Sequence, residues 1–119
     1  MELATIGKIM DAADRAYKDV PVPEWGGAVR IQEWSAKDLD WWESECSRRR
    51  LPQDKVDMSG LRVAVVGRSA VDGVGRPMFQ NGQLEKLEEK NAKVVHRLYD
   101  EVLKFNRIGE KAIEAEEKN

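Results

Sequence analysis

The sequence predicts an α+β fold, namely a mainly α-helical single domain over residues 1–119 with one small N-terminal β-hairpin. Apolar residues recur at helical spacing in several segments of the chain. One stretch, residues 20–34, combines two prolines and two adjacent glycines with an alternating segment, which is typical of a hairpin. The 119 residues, 35% charged and 41% hydrophobic, suit one helix-rich domain.

The first helix is predicted over residues 5–17, with Thr5 as its N-cap. Its apolar positions follow the helical period: Ile6, Ile9, Met10, Ala13 and Tyr17. Gly7 lowers the helix propensity of this segment, so we expect a short element.

The hairpin is predicted over residues 20–34. Pro21 and Pro23 exclude a helix and are tolerated in an edge strand, so we expect the first strand to lie at the edge of its sheet. Gly26 and Gly27 can adopt the positive φ that a tight turn requires. The residues that follow alternate between apolar and polar side chains, as a strand with one buried face does.

A second helix is predicted over residues 35–50. Ser35 can cap its N-terminus, and Asp38, three residues on, suits an imperfect capping box and the helix dipole. Pro52 stops the helix, and residues 51–60 are interpreted as a polar connection.

Local pattern leaves the segment Leu-Arg-Val-Ala-Val-Val-Gly at 61–67 open between two interpretations. Its alternation and valine content favour a strand. A helix is the alternative, with Asp57 as a cap and Met58, Leu61 and Val65 on one face. The following residues, 71–79, form a glycine-rich reverse turn.

The C-terminal third predicts a short helix at 83–90, a long one at 91–106 and a weakly apolar one at 109–117. Asn91 is a good N-cap for the long helix, and Asn106 can end it in a left-handed conformation. The apolar face of the long helix consists of two rows: Val94, Leu98 and Val102, and Val95, Tyr99 and Leu103.

Composition excludes several classes of function. The 20 basic and 22 acidic residues leave no basic surplus for nucleic acid, and no apolar run reaches the roughly 20 residues of a membrane span. The N-terminus lacks a signal-peptide pattern, and a single cysteine excludes an internal disulfide and suits a reducing cytoplasm. We expect neither a nucleic-acid partner nor a membrane-bound protein.

No constellation of residues predicts catalysis. The valine-rich run before the glycine turn resembles a phosphate loop, but Asp72 stands where that loop needs glycine, and Pro77 would break the receiving helix. His96 and Cys46 have no companions at metal-ligand spacing. We therefore predict a protein that is not an enzyme and has no catalytic, cofactor-binding or metal-binding residues.

The tryptophans are the strongest indication of a binding surface, because tryptophan is enriched at interface hot spots. Trp34, Trp41 and Trp42 lie within nine positions of one another. Trp41 and Trp42 are about 100° apart on a helix, so both cannot point at the centre of one seam. We interpret Trp25 and Trp42 mainly as core residues and leave Trp41 open between core and interface.

The order of these pieces resembles the tail assembly chaperones of long-tailed bacteriophages and related prophages. In that family the hairpin typically reads Val-Pro-Glu-Trp-Gly-Gly before a strand with Val and Arg, and an Asp-x-Gly-x-x-x-Phe turn occurs later. The turn here is longer than the usual one. The matching residues are Val22, Pro23, Glu24, Trp25, Gly26, Gly27, Val29, Arg30, Ser35, Asp72, Gly73, Phe79, Asn106 and Asn119.

The resemblance implies a helix over residues 57–70, in place of a strand. It also implies structural roles for the motif residues Pro23, Glu24, Trp25, Gly26, Gly27, Asp72, Gly73 and Asn106. For function it implies a non-enzymatic chaperone that binds the tape measure protein and keeps it soluble. Such a chaperone helps to recruit the tail tube protein, acts in the bacterial host cytoplasm and is absent from the mature virion.

The candidate partner-binding residues are Trp34, Trp41, Trp42, Tyr99 and Phe105. Many members of the family also exist in a longer, frameshifted form, and this chain looks like the short form. Two other functions stay open: a structural tail or head–tail connection protein retained in the virion, and a nucleotide-binding domain that uses the glycine turn. The oligomeric state is open too, with a homo-oligomer as one alternative.

Overall fold

The structure is a computed structural model that describes residues 1–108. The helix expected at 109–117 and Asn119 of the sequence motif lie outside these residues. The helices and strands in chain order are α1 (Ile6–Asp11), β1 (Tyr17–Val22), β2 (Gly27–Gln32), α2 (Ala36–Arg48), β3 (Arg50–Leu51), β4 (Lys55–Val56), α3 (Leu61–Ser69), β5 (Ala70–Val71), α4 (Gln83–Leu87) and α5 (Ala92–Phe105).

The strands form two small sheets, so the predicted fold class, mainly helical with one hairpin, is wrong. A three-stranded antiparallel sheet has the order β1-β2-β5, in which Arg30 of β2 faces Val71 of β5. β3 and β4 form a separate two-stranded hairpin. The extra strands are two residues long, too short to show an alternating pattern in the sequence.

The N-terminal hairpin confirms the predicted edge position of its first strand, since β1 pairs with β2 alone within the described sheet. Its turn is a single 3₁₀ turn over Pro23–Trp25, followed by Gly26 at a φ of +79°. Gly27 does not share the left-handed conformation and begins β2. The first strand begins earlier than predicted, at Tyr17, which pairs with Gln32, and the second strand ends there and not at Trp34.

The first helix is shorter than the predicted 5–17. Thr5 is its N-cap as expected, and the Thr5 hydroxyl accepts a hydrogen bond from the Lys8 amide. The helix ends at Asp11, because the chain turns into an extended conformation that leads to β1 at Tyr17. None of the six residues of α1 is buried.

The second helix confirms its predicted N-terminus. The Ser35 hydroxyl accepts from the Asp38 amide at 3.2 Å, and the Asp38 carboxylate accepts from the Ser35 amide at 2.9 Å. These two bonds make a complete capping box. The segment 51–60 is not a plain connection, since β3 and β4 pair around a 3₁₀ turn at Pro52–Asp54.

The segment that local pattern left open is helix α3, as the resemblance implied. It begins at Leu61 and not at residue 57, and Gly60, at a φ of +73°, takes the N-cap position that Asp57 was expected to fill. The Asp57 carboxylate instead accepts from the Ser59 amide in the preceding turn. After Ser69 the chain extends into β5.

The core lies where α3 and α5 pack together and against the three-stranded sheet. Its members are mostly branched aliphatic residues, of which the last three form one predicted row of α5: Val20, Val22, Ile31, Leu61, Val65, Val66, Val94, Leu98 and Val102. Asn106 ends α5 at a φ of −92°, so the left-handed position belongs to Arg107 instead. Of the helices in residues 1–108, none has the length and apolar composition to cross a bilayer.

Candidate partner-binding surfaces

The hairpin motif is attached to α5 by an ion pair. The two nitrogens at the end of the Arg97 guanidinium donate to the two Glu24 oxygens, each at 2.9 Å. The arginine holds the pKa of the Glu24 carboxyl at about 2, well below its usual range. Trp25, beside Glu24 in the motif, is half-buried and packs against the core. The motif thus fixes the turn of the hairpin onto the long helix.

Asn106 connects the end of α5 to the segment before α2. Its side-chain oxygen accepts from the Trp34 amide at 2.9 Å, and its side-chain nitrogen donates to the Val102 carbonyl at the same distance. The amide therefore satisfies one backbone donor and one helix-terminal acceptor at once. This geometry explains why an asparagine suits the position.

Three tryptophans gather at this junction. The Trp34 ring meets Trp41 edge-on at 6.2 Å between centroids and lies tilted against Trp42 at 5.9 Å. All three are half-buried and pack against the core. Trp34 also lines a hollow of about 200 Å³ with Leu39 and Ile108. The structure thus brings together the three predicted tryptophans, and their part in partner binding stays a prediction.

Trp41 also contacts a network of charged side chains. The Arg68 guanidinium lies 4.6 Å from the centre of the Trp41 ring and donates to Asp38 at 3.1 Å. Arg15 approaches the other Asp38 oxygen at 3.9 Å. The network joins the start of α2 to the end of α3, and sequence spacing gives no sign of it because Asp38 and Arg68 lie 30 positions apart.

The other two predicted contacts lie apart from the tryptophans in the sequence. Tyr99 is 8% exposed and forms part of the core under Arg62. Burial raises the pKa of its phenol. Phe105 is half-buried at the end of α5 and packs against the core. A partner could therefore reach Phe105 more readily than Tyr99.

The glycine-rich turn is closed by its own aspartate. The Asp72 carboxylate accepts from the amides of Val74 and Arg76, both at 2.9 Å, and these bonds lower its pKa. Gly75 adopts a φ of +84°, which the reversal requires. A phosphate would need such amides free, but here the carboxylate occupies both. Gly73, the other motif residue of this turn, is exposed.

Among the described residues, His96 and Cys46 both have structural surroundings that do not form a reactive site. His96 accepts from Arg62 at 3.1 Å through Nδ1, and its Nε2 lies 3.2 Å from Asp100. Cys46 is half-buried, and burial raises the pKa of its thiol. Within residues 1–108 no three His, Cys, Asp or Glu side chains converge as metal ligands would.

Sequence patterns did not reveal two apolar surfaces. The first is the face of α1 and the residues before it, where Leu3, Ile6 and Met10 are 93%, 73% and 70% exposed. Helical spacing indicates which side chains share one face of a helix, whereas solvent exposure is a tertiary property that spacing alone does not give.

The second surface is a groove beside α4, which we call the α4 groove. It consists of two adjacent hollows of about 310 Å³ and 280 Å³ that share Leu87 and Lys90. Its apolar lining residues are Met58, Val63, Met78, Phe79, Leu87 and Val95. Lys86 and Lys90 lie on either side of the buried Leu87 in the chain, and their spacing in the sequence does not distinguish them from the lysines of an ordinary exposed helix face.

Comparison with known proteins gives a match at the level of structure. No protein-family model and no curated protein matches the sequence. The chain is similar to the tail assembly chaperone of bacteriophage HK97, with a TM-score of 0.56 and 24% identity. The similarity covers 83% of this chain and 90% of the HK97 chain. The two proteins therefore share a fold, and the resemblance that the motifs indicated is confirmed at that level.

Proposed function

We propose that this chain is a non-enzymatic tail assembly chaperone that binds the tape measure protein of a long-tailed phage or prophage. The observation that carries the proposal is the fold shared with the HK97 tail assembly chaperone over most of both chains. The hairpin motif is consistent with the proposal, since in this chain Glu24 pairs with Arg97 and Trp25 packs against the core.

The surface chemistry of the described residues supports a binding role. A long helical client that is prone to aggregate needs apolar surfaces to cover its own apolar stripes. The chain offers such surfaces on α1, in the α4 groove and beside Trp34. Its carboxylates with clearly lowered pKa values serve as structural partners, since Asp19, Glu24 and Glu101 each pair with a basic side chain.

The proposal includes the setting in which the chain acts. It binds the tape measure protein in the cytoplasm of the bacterial host, keeps it in solution and helps to recruit the tail tube protein. It then leaves before the virion is complete. The tryptophan junction, Tyr99 and Phe105 are the contacts that the sequence suggested for this task.

Co-expression tests the binding role. The tape measure protein from the same gene neighbourhood is expressed alone, with this chain, or with a chain that carries Leu98→Ala. That substitution creates a core cavity at a fully buried residue and costs about 2–5 kcal/mol of stability. We expect the tape measure protein in the supernatant only with the intact chain. An unchanged pellet fraction in its presence would refute the role and leave the fold intact.

Mass spectrometry of purified virions separates the proposal from a structural tail or head–tail connection protein. A chaperone leaves the finished tail, so its peptides are expected to be absent while those of the tape measure protein are abundant. Stoichiometric recovery of this chain from virions would establish the structural alternative.

A further inference from the structure

We infer that the α4 groove binds an acidic amphipathic helix of the client. The inference rests on the proposed function and adds to it the place of binding and the chemistry of the bound segment. It depends on the shape of the groove, on the charges at its rim, and on the contrast with the other hollows of the described surface.

The shape of the groove fits a helix. Its two hollows lie side by side and are divided by residues common to both, Leu87 and Lys90. Leu87 and Val95 are buried beneath the surface, while Met78 is 41% exposed at the edge. An amphipathic helix presents apolar side chains one or two turns apart, and each hollow can receive one of them. Methionines at the walls adapt to side chains of different shape.

The charges around the groove select an acidic occupant. Three of the residues that line it are basic, Arg62, Lys86 and Lys90, and one, Glu88, is acidic. Neither lysine forms a salt bridge with another residue of the range 1–108. Arg62 donates to the His96 ring instead of a carboxylate. Carboxylates that flank the apolar stripe of a helix would pair with these cations.

The other hollows have a different chemistry. The one on the face of α2 is lined by Asp40, Glu43 and Arg48 with two serines, so it is polar and would repel an acidic helix. Of the two hollows beside Trp34, one is mainly apolar without a basic rim, and the other sets two carboxylates, Asp14 and Glu33, against Arg15. Charge complementarity therefore directs an acidic helix to the α4 groove, in a chain whose net charge is −2.

Peptide binding to the full chain tests the inference. The probe is a labelled helical peptide of about 20 residues, which spans several turns. It carries leucines at helical spacing and glutamates on both flanks, and the control peptide has lysine in place of every glutamate. Fluorescence anisotropy should show binding of the acidic peptide, weaker binding at higher ionic strength, and no binding of the basic peptide.

Charge reversal locates the site. In Lys86→Glu/Lys90→Glu, two attractions become repulsions, and the affinity for the acidic peptide should fall by about tenfold or more. The matched control is Lys37→Glu/Lys55→Glu, which reverses two exposed lysines outside the groove and should bind like the unmodified chain. If the first variant does not fold, Lys86→Gln/Lys90→Gln replaces it, with a smaller loss expected because no repulsion is added.

Three outcomes would overturn the inference. The first is equal binding of the acidic and basic peptides, and the second is equal loss of affinity in the groove and control variants. The third is a chain that forms multimers dissociated by Lys86→Glu/Lys90→Glu and binds no peptide, which would assign the groove to a second copy. Co-expression separates this inference from the function: groove variants that still keep the tape measure protein in solution refute the site alone.

Discussion

At the scale of single residues, two side-chain contacts hold segments that are far apart in the sequence. Glu24 and Arg97 are 73 positions apart, and Trp34 and Asn106 are 72 positions apart. Both contacts involve α5, because Arg97 within the helix holds the hairpin turn and Asn106 at its C-cap holds the segment before α2. The motif residues are thus structural ties that position the surfaces a partner would meet.

The pair of Glu24 and Arg97 should make stability depend on pH. The pKa of Glu24 is lowered from 4.5 to about 2 in the folded chain. A carboxyl group whose pKa is lower in the folded state stabilises the fold at pH values above its unfolded-state pKa. This stabilisation is lost as the pH falls through the folded-state pKa. We therefore expect Glu24→Gln to lower the melting temperature at pH 7, and the gap to the unmodified chain to close between about pH 5 and pH 2.

The control for this prediction is Glu89→Gln, at an exposed carboxylate that has no salt bridge among the described residues. Thermal unfolding followed by circular dichroism across this pH range measures both variants. A gap between Glu24→Gln and the unmodified chain that stays constant down to pH 2 would show that the ion pair does not set the pH dependence.

Asn106 should be difficult to replace. Asn106→Ala leaves the part-buried Trp34 amide without its acceptor and removes a bond to the Val102 carbonyl. We expect the free energy of unfolding to fall by about 1–3 kcal/mol in urea denaturation. Lys104→Ala, at an exposed residue of the same helix end, should change it by no more than about 0.5 kcal/mol. Equal effects of the two substitutions would contradict the role given to Asn106.

At the scale of elements, α1 differs from the other described helices because all six of its residues are exposed. Isolated helices of this length are marginal in water, so α1 contributes little to the stability of the domain. We expect Ile6→Ser/Ile9→Ser to change the free energy of unfolding by no more than about 0.5 kcal/mol. Hydrogen exchange at α1 should be fast, in contrast to the core of α5. A loss of several kcal/mol would mean that α1 packs on the domain.

The contact between α3 and α4 depends on Gly67. A Cβ at this position would meet the end of the Leu84 side chain. Alanine gains about 1 kcal/mol over glycine inside a helix, so the contact with Leu84 should cancel the gain in Gly67→Ala. In a Leu84→Ala background the same substitution should stabilise the chain by about 1 kcal/mol. Identical effects in both backgrounds, measured by urea denaturation, would show that the helices do not meet there.

The elements also show how far the sequence alone can predict this fold. The hairpin, α2 and α5 carry their own signals, such as Pro23, Ser35 and Asn91, and the structure has all three. β5 exists because Ala70 and Val71 pair with β2, and β3 exists because it pairs with β4. Two-residue strands form only by pairing with a neighbouring strand, so no local sequence pattern could predict them.

The candidate binding surfaces also differ in how far the sequence alone predicts them. The grouping of Trp34 with Trp41 and Trp42 followed from their closeness in the sequence, and the structure brings their rings together. The α4 groove combines residues from before α3, from α4 and from α5. Contacts of that kind depend on the completed fold, so spacing could not reveal them.

At the scale of the whole molecule, the chain combines a well-packed core with exposed apolar surfaces that a partner could contact. The core is formed by α3, α5 and the three-stranded sheet, and the exposed surfaces are α1, the α4 groove and the hollow beside Trp34. This division suits the proposed chaperone role, because the core can keep its shape while the surfaces are covered and released.

The most direct test of this account follows the client in infected or induced cells. The gene for this chain receives an early stop codon in the phage or prophage that encodes it, and the fraction of tape measure protein in the cleared lysate is measured by quantitative mass spectrometry. The account predicts that the tape measure protein moves to the pellet, that tails fail to form, and that the chain supplied from a plasmid restores both. A tape measure protein that stays in solution, with normal tails, would contradict it.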